Sequence, residues 1–262
     1  MRQEAKRARK DPSALARFKA LRLNLGVSDT VESTLLDADV WERIETDAPE
    51  TAGPFVLGLD LGQNAAMSAA AAYFLEGGGL DAFAVFPEYP DLLERGRQDG
   101  VDRLYVECFD RGELLTEGAR VSDVGALLAE VRQRWGDPAA IVCDRWREAE
   151  LRQALEAVSF PSCALIVRGM GYMDGGADVR EFCKACIDER VRPRRSLLMR
   201  AAMSGARVTT DPAGNAKLAK GGQGRRTRCR DDAAAAAILA VAEGRRRAAQ
   251  AESRPAFQYA IV

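Results

Sequence analysis

The chain has 262 residues, of which 47% are hydrophobic and 29% charged, and it contains no histidine. This length supports one substantial domain, and the formal net charge of −1 gives no bulk argument for nucleic-acid binding. The lack of histidine excludes Ser-His and Cys-His catalysis and every histidine-ligated metal site. No apolar run approaches the roughly 20 residues of a membrane-spanning helix, so we expect a cytoplasmic protein without a membrane partner.

Three parts are predicted along the chain. Residues 1–22 carry eight Arg and Lys against two acidic residues, with apolar residues at helical spacing, and we predict that residues 1–50 form a basic amphipathic arm or linker. Pro49 and the pair Gly53-Pro54 mark the approach to the first strand. We therefore predict a main domain over residues 51–250 and a C-terminal tail over 251–262.

Strand and helix patterns follow one another through the main domain. Apolar runs between turn residues predict strands at 55–60, 68–75, 80–86, 140–144 and 164–167. Apolar steps of three and four predict helices at 121–135, 147–158, 177–189, 197–204 and 232–247, with further helical segments between 91 and 117. Three meandering strands followed by two crossovers predict an α/β fold. Its mixed five-stranded sheet has the order 3-2-1-4-5 and is flanked by helices.

Carboxylates occupy three particular places in this pattern. Asp60 ends the first strand, Asp144 ends the fourth, and Asp231 and Asp232 open the last helix. The predicted order makes the first and fourth strands neighbours, so we expect these carboxylates to converge. Buried carboxylates need hydrogen bonds or a cation, and convergence of this kind is typical of hard metals bound through oxygen.

Three stretches surround the acidic positions: Val56-Leu57-Gly58-Leu59-Asp60-Leu61-Gly62, Ile141-Val142-Cys143-Asp144-Arg145-Trp146-Arg147-Glu148, and Arg230-Asp231-Asp232-Ala233-Ala234-Ala235-Ala236-Ala237-Ile238. They resemble the ribonuclease-H-like nucleases and, more closely, the C-terminal nuclease domain of tailed-phage terminase large subunits. The segment 18–24 also resembles the terminase stretch that joins the motor to the nuclease. The resemblance covers nearly the whole chain.

The resemblance implies a metal-dependent endonuclease that cleaves concatemeric viral DNA during genome packaging in the host cytoplasm. Asp60 and Asp144 would bind metal with a third ligand from Asp231 or Asp232, of which we favour Asp232, and all four positions are candidate catalytic residues. The implied cofactors are two divalent ions, Mg²⁺ or Mn²⁺, roughly 4 Å apart. The implied partners are double-stranded DNA, the terminase ATPase motor, the small terminase subunit and the portal. Many relatives carry a histidine where this chain has Arg230.

A basic segment precedes the last helix. It contains Lys217, Lys220, Arg225, Arg226, Arg228 and Arg230, with glycines between them. Positive groups that contact phosphates confer no sequence choice, which suits a nuclease that cuts arbitrary DNA. We predict that these residues bind DNA, the alternative being a solvated run of charge.

Two other functions are compatible with parts of the sequence. The substitution of the histidine by Arg230 would suit an inactive DNA-binding or assembly module of the same fold. The turn Gly58-Leu59-Asp60-Leu61-Gly62 resembles the first phosphate-binding turn of the superfamily of actin and sugar kinases, which would make the chain an ATP-binding protein. We find no second such turn and no P-loop sequence, so we expect no motor ATPase within these residues.

Overall fold

The computed structural model describes residues 32–63, 66–211, 213–219 and 229–252. The strands are β1 (Glu32–Thr34), β2 (Phe55–Asp60), β3 (Ser68–Phe74), β4 (Gly79–Phe86), β5 (Leu114–Thr116), β6 (Ala140–Asp144), β7 (Ala164–Arg168), β8 (Arg192–Pro193), β9 (Arg207–Thr210) and β10 (Ala216–Leu218). The helices are α1 (Ala38–Ile44), α2 (Leu92–Asp99), α3 (Leu104–Asp110), α4 (Val124–Trp135), α5 (Glu148–Ala157), α6 (Asp174–Ile187), α7 (Leu197–Gly205) and α8 (Asp232–Glu252). None of these helices is long and apolar enough to cross a membrane.

A seven-stranded mixed sheet forms the centre of the molecule. Its order is β5-β4-β3-β2-β6-β7, and β8 also pairs with β4. Strands β2, β3 and β4 pair antiparallel, whereas β6 and β7 join β2 in parallel. The path β4-β3-β2-β6-β7 has the order predicted for five strands, but the predicted strand number was too low. The additional strands β5 and β8 contain three and two residues, which is too short for a periodic pattern.

The helices cover both faces of this sheet. On one face α8 packs with α6, α7 and α1, in a core that includes Phe182, Met199 and Trp41. On the other face α4 and α5 contribute Leu128 and Leu151 to a second core. Strand β2 lies between these layers and is therefore buried on both sides, which explains its continuous apolar run.

A second, three-stranded sheet has the order β1-β9-β10. Strand β1 pairs with β9 through Glu32 and Thr209, and the adjacent helix α1 buries Trp41 and Ile44 in the main core. The described part of the folded unit thus begins before the boundary predicted near residue 50. Residues 1–31 of the predicted arm (1–50) and residues 253–262 of the predicted tail (251–262) lie outside the described residues.

Helix α8 approaches β2 at van der Waals distance. Its residues from Ala233 to Ala237 are buried, and a Cβ added at Gly58 would collide with the Ala236 carbonyl oxygen and lie 2.7 Å from the Ala240 nitrogen. Only hydrogen at position 58 is compatible with this approach. The glycine and the alanine run therefore act together to seat the helix on the sheet.

We predict that Gly58→Ala lowers the free energy of unfolding by about 3 kcal/mol, because the new methyl group must displace helix backbone. Urea unfolding followed by circular dichroism measures this change. Gly171→Ala is the matched control, since a Cβ there meets nothing within 4 Å. Equal effects of the two substitutions would contradict the proposed close contact.

Candidate metal centre

Two of the predicted carboxylates lie side by side at one edge of the sheet. Strand β2 ends at Asp60 and its parallel neighbour β6 ends at Asp144, and the last paired residues are Leu59 and Cys143. Side chains alternate between faces along a strand, so Asp60 shares a face with Gly58 and Asp144 shares one with Val142. Both are the α8 face, since Gly58 touches α8 and Val142 packs against Leu239.

Helix α8 carries the third carboxylate to the same place. Gly244 packs on Tyr73, a residue opposite Val56, so α8 runs antiparallel to β2 and its N-terminus points toward Asp60. Asp232 precedes Ala236 by one turn, about 6 Å along the helix axis. Asp60 lies about 7 Å beyond Gly58 along the strand. These nearly equal steps from one contact bring Asp232 level with Asp60.

The helix geometry also distinguishes Asp232 from Asp231. The Ala235 N–H donates to the Asp231 carbonyl, so Asp231 caps the helix and Asp232 is its first residue. Asp232 is four residues before Ala236 and shares its sheet-facing side, whereas Asp231 is rotated by about 100°. A carboxylate in the first turn is also stabilised by the helix dipole.

The donor set at this corner fits a hard cation. Asp60, Asp144 and Asp232 are half-buried and offer only oxygen. Burial raises the pKa of the Cys143 thiol to about 11. Burial likewise raises the pKa of the Cys229 thiol to about 12. Both thiols therefore stay protonated at neutral pH and offer no soft ligand.

The side chains of Asp60, Asp144 and Asp232 do not form a metal-binding triad in this structure. Within the described ranges, no three acidic or cysteine side chains are close enough together to hold a metal ion. Asp60 and Asp232 each interact with a neighbouring group, and Asp144 accepts a hydrogen bond from the Trp146 N–H at 3.4 Å. The pairing of β2 with β6 places the strand ends that carry Asp60 and Asp144 next to each other.

The turn after Asp144 is fastened to the loop after Asp60. Arg147 donates to the Gly62 carbonyl oxygen at 2.9 Å and also pairs with Glu150. The Gly62 N–H in turn donates to Ser68, whose hydroxyl lies 2.9 Å from that of Ser122. Arg147 therefore couples the two strand ends.

A buried polar cluster holds the start of α8. Arg230 pairs with Asp99 at 2.9 Å, and the Tyr105 hydroxyl donates to Asp99 and accepts from the Arg230 N–H. We call these three residues the α8 clamp. Asp99 is only 3% exposed, so it requires the positive partner. Sequence reasoning missed the clamp, since a lone aspartate on a polar helix gives no local signal.

The predicted DNA-binding residues are placed only in part. Lys217 lies on β10 with its ammonium group 4.4 Å from the centre of the Tyr172 ring. Arg230 belongs to the α8 clamp, where its Nε donates to Asp99. Lys220, Arg225, Arg226 and Arg228 lie outside the described residues.

Residues 1–248 match the family described as the terminase large subunit, endonuclease domain. The chain belongs to this family. The match favours a nuclease over the ATP-binding alternative suggested by the turn at Gly58. No curated protein sequence matches the chain.

Solved structures agree with the family assignment. The large terminase of bacteriophage HK97 is 27% identical with a TM-score of 0.73, and the match covers 92% of this chain and 49% of that one. This chain thus spans about half the length of the HK97 protein. The large terminase nuclease from thermophilic phage G20c with bound magnesium is 13% identical with a TM-score of 0.50, covering 80% of this chain and 97% of that one. The second likeness shows the shared fold.

We predict that Arg230→Ala lowers the free energy of unfolding by about 3 kcal/mol, because it leaves the Asp99 carboxylate buried without its cation. Asp99→Ala added to Arg230→Ala should cost much less than the sum of the single changes. Chemical unfolding of the four proteins gives the coupling energy.

The pair Arg132–Asp137 provides the control cycle, since its side chains are 45% and 52% exposed. Its coupling energy should stay below about 1 kcal/mol. If the losses in unfolding free energy at Arg230 and Asp99 are additive, the interaction between these two residues contributes no stability of its own.

Proposed function

We propose that this terminase domain is a divalent-metal-dependent endonuclease that cuts concatemeric viral DNA during genome packaging. One observation carries the proposal: Asp60 and Asp144 end neighbouring parallel strands, and the α8 contact at Gly58 brings Asp232 level with them on the same face. Family membership supports this function. The half-buried, oxygen-only donor set supports Mg²⁺ or Mn²⁺ as the cofactor.

Each carboxylate has a distinct part in this proposal. Asp60 on β2, Asp144 on β6 and Asp232 on α8 would hold the ions through their carboxylate oxygens. When bound, the ions supply Lewis acidity that activates water and stabilises the leaving oxygen of the phosphodiester. Asp231 caps the helix and has no direct role. Arg147 and the α8 clamp hold the elements that carry the ligands.

The proposed substrate is double-stranded DNA. Acidic ligands repel phosphate, so cations must bring the polymer to the site. The basic segment from Lys217 to Arg228 leads directly into the residues before α8 and is proposed to contact phosphates. We further propose that the domain acts in the host cytoplasm with an ATPase motor, a small terminase subunit and a portal.

We predict that Asp60→Asn and Asp144→Asn each reduce plasmid nicking by more than about 100-fold. Mutating a residue that only hydrogen-bonds to a metal ligand already costs about 10- to 100-fold in activity or metal affinity. DNA binding should be unchanged or slightly stronger, because each substitution removes a charge that repels phosphate. Nicking in Mg²⁺ or Mn²⁺ and electrophoretic binding assays measure the two effects. Asp232→Asn should match the loss, and the neighbouring Asp231→Asn is the control that keeps most activity.

A metal titration separates the site from its chemistry. At 100-fold excess over its dissociation constant, the metal should stabilise the parent protein by about 2.7 kcal/mol, and clearly less in Asp60→Asn. EDTA should abolish nicking. Robust cleavage in excess chelator, or parent rates in both strand-end variants, would refute the assigned site.

The inactive module remains the second candidate, and Arg230 in place of the usual histidine is the observation that favours it. A parent protein that binds DNA but nicks no plasmid at any metal concentration would establish it. Its α8 clamp would then serve stability alone.

We predict that changing Lys217, Lys220, Arg225 and Arg226 together to Gln weakens DNA binding and flattens its salt dependence. Each lost phosphate contact should reduce the slope of log affinity against log salt by about 0.9. The control changes four exposed arginines, on α1 or in and next to β8, to Gln: Arg43, Arg190, Arg192 and Arg195. Equal slopes in both variants would show that the basic segment is merely solvated.

A further inference from the structure

The two most exposed large hydrophobic side chains of the described residues lie at the sheet edge that carries the carboxylates. Trp146 is 81% exposed and Met173 is 88% exposed. Trp146 follows Asp144 at the end of β6, and Met173 follows the end of β7, the parallel neighbour in which Arg168 is opposite Asp144. We call Trp146 and Met173 the apolar ridge.

The exposure of Trp146 belongs to a fixed turn. Its own N–H donates to Asp144, and the next residue, Arg147, donates to the Gly62 carbonyl oxygen at 2.9 Å. The backbone is thus tied on both sides while the indole remains outside. The indole therefore lies two residues from the candidate ligand Asp144 and is accessible to an interacting molecule.

Two cations, Arg145 and Lys217, accompany the apolar ridge, next to the acidic residues Asp144 and Asp174. Arg145 is exposed beside Trp146. Tyr172, next to Met173, supports the Lys217 ammonium on its ring at 4.4 Å, and its hydroxyl lies 3.4 Å from that of Thr209. Apolar side chains between cations are complementary to a polyanion that also presents flat apolar faces. DNA bases have such faces once they are partly unstacked.

We propose that the apolar ridge contacts unstacked bases next to the cut, so that the domain prefers locally opened duplex over perfect duplex. This inference rests on the proposed function and names the form of DNA that the site takes. Wedges of this kind insert between base steps and open the stack. Trp146 would stack on an unpaired base, and the flexible side chain of Met173 would pack beside it.

Intrinsic fluorescence reports on this contact directly. The chain has three tryptophans. Trp41 is 3% exposed, and Trp135 packs against Phe55 and Phe83, so Trp146 is the accessible one. In EDTA, duplex DNA with an internal unpaired bubble should protect the protein from acrylamide quenching more strongly than perfect duplex. Trp146→Phe should remove most of the quenchable signal.

Binding affinities test the energetic role. Trp146→Ala should weaken binding to bubble DNA about tenfold and binding to perfect duplex much less, while Trp146→Phe restores most of the affinity. The salt slope should stay unchanged, since an indole releases no counterions. Ile187→Ala is the matched control: it is 59% exposed at the other end of α6, about 20 Å from Met173.

Equal bubble affinities for the parent and Trp146→Ala, with no DNA-dependent protection from acrylamide, would overturn the proposal. Thermal melting of each variant shows that the fold is intact, as expected for side chains that are mostly exposed. The binding data need no hydrolysis. Failure of the parent to cut plasmid would therefore refute the proposed nuclease but leave the result for the apolar ridge standing.

Discussion

The contact between α8 and β2 at Gly58 sets the distance between the last helix and the sheet that carries Asp60 and Asp144. Because position 58 has no side chain and the facing helix residues are alanines, the helix axis lies close to the sheet. A second glycine, Gly244, gives Tyr73 the same close approach one sheet strand away. These contacts set the distance between α8 and the sheet, and with it the position of Asp232 at the start of the helix. A bulkier residue at either glycine would displace the helix that carries Asp232.

Two groups of charged residues lie near this contact: the carboxylates at the strand ends and the ion pairs that hold the neighbouring segments. In the proposed site a bound cation would offset the repulsion between the carboxylates at the strand ends, and metal binding would then stabilise the fold. Their supports use internal pairs instead: Arg147 fastens one strand end to the other, and the α8 clamp holds the helix start. Arg230 therefore has a structural partner, Asp99. Its cation neutralises Asp99 and not the candidate metal ligands.

Much of the fold could be predicted because the information is local. Strands β2, β3, β4, β6 and β7 and the long helices were predicted from apolar periodicity within a few residues. The missed elements β1, β5, β8, β9 and β10 contain two to four residues and depend on distant partners, such as Glu32 opposite Thr209. Arg230 and Asp99 are 131 residues apart in sequence, so no spacing rule could join them.

The sequence by itself determined the chemistry that is available: oxygen donors, no histidine, and an alanine-rich last helix opening on two aspartates. It also determined the face of each strand, because side chains alternate with a fixed period. Only the tertiary structure decided that Asp232 faces the sheet while Asp231 caps the helix, and that Trp146 is held outside beside the carboxylates. The reason is physical. Periodicity determines which way the side chains of one helix or strand point, whereas the distance and rotation between two elements are set by contacts between residues far apart in the chain.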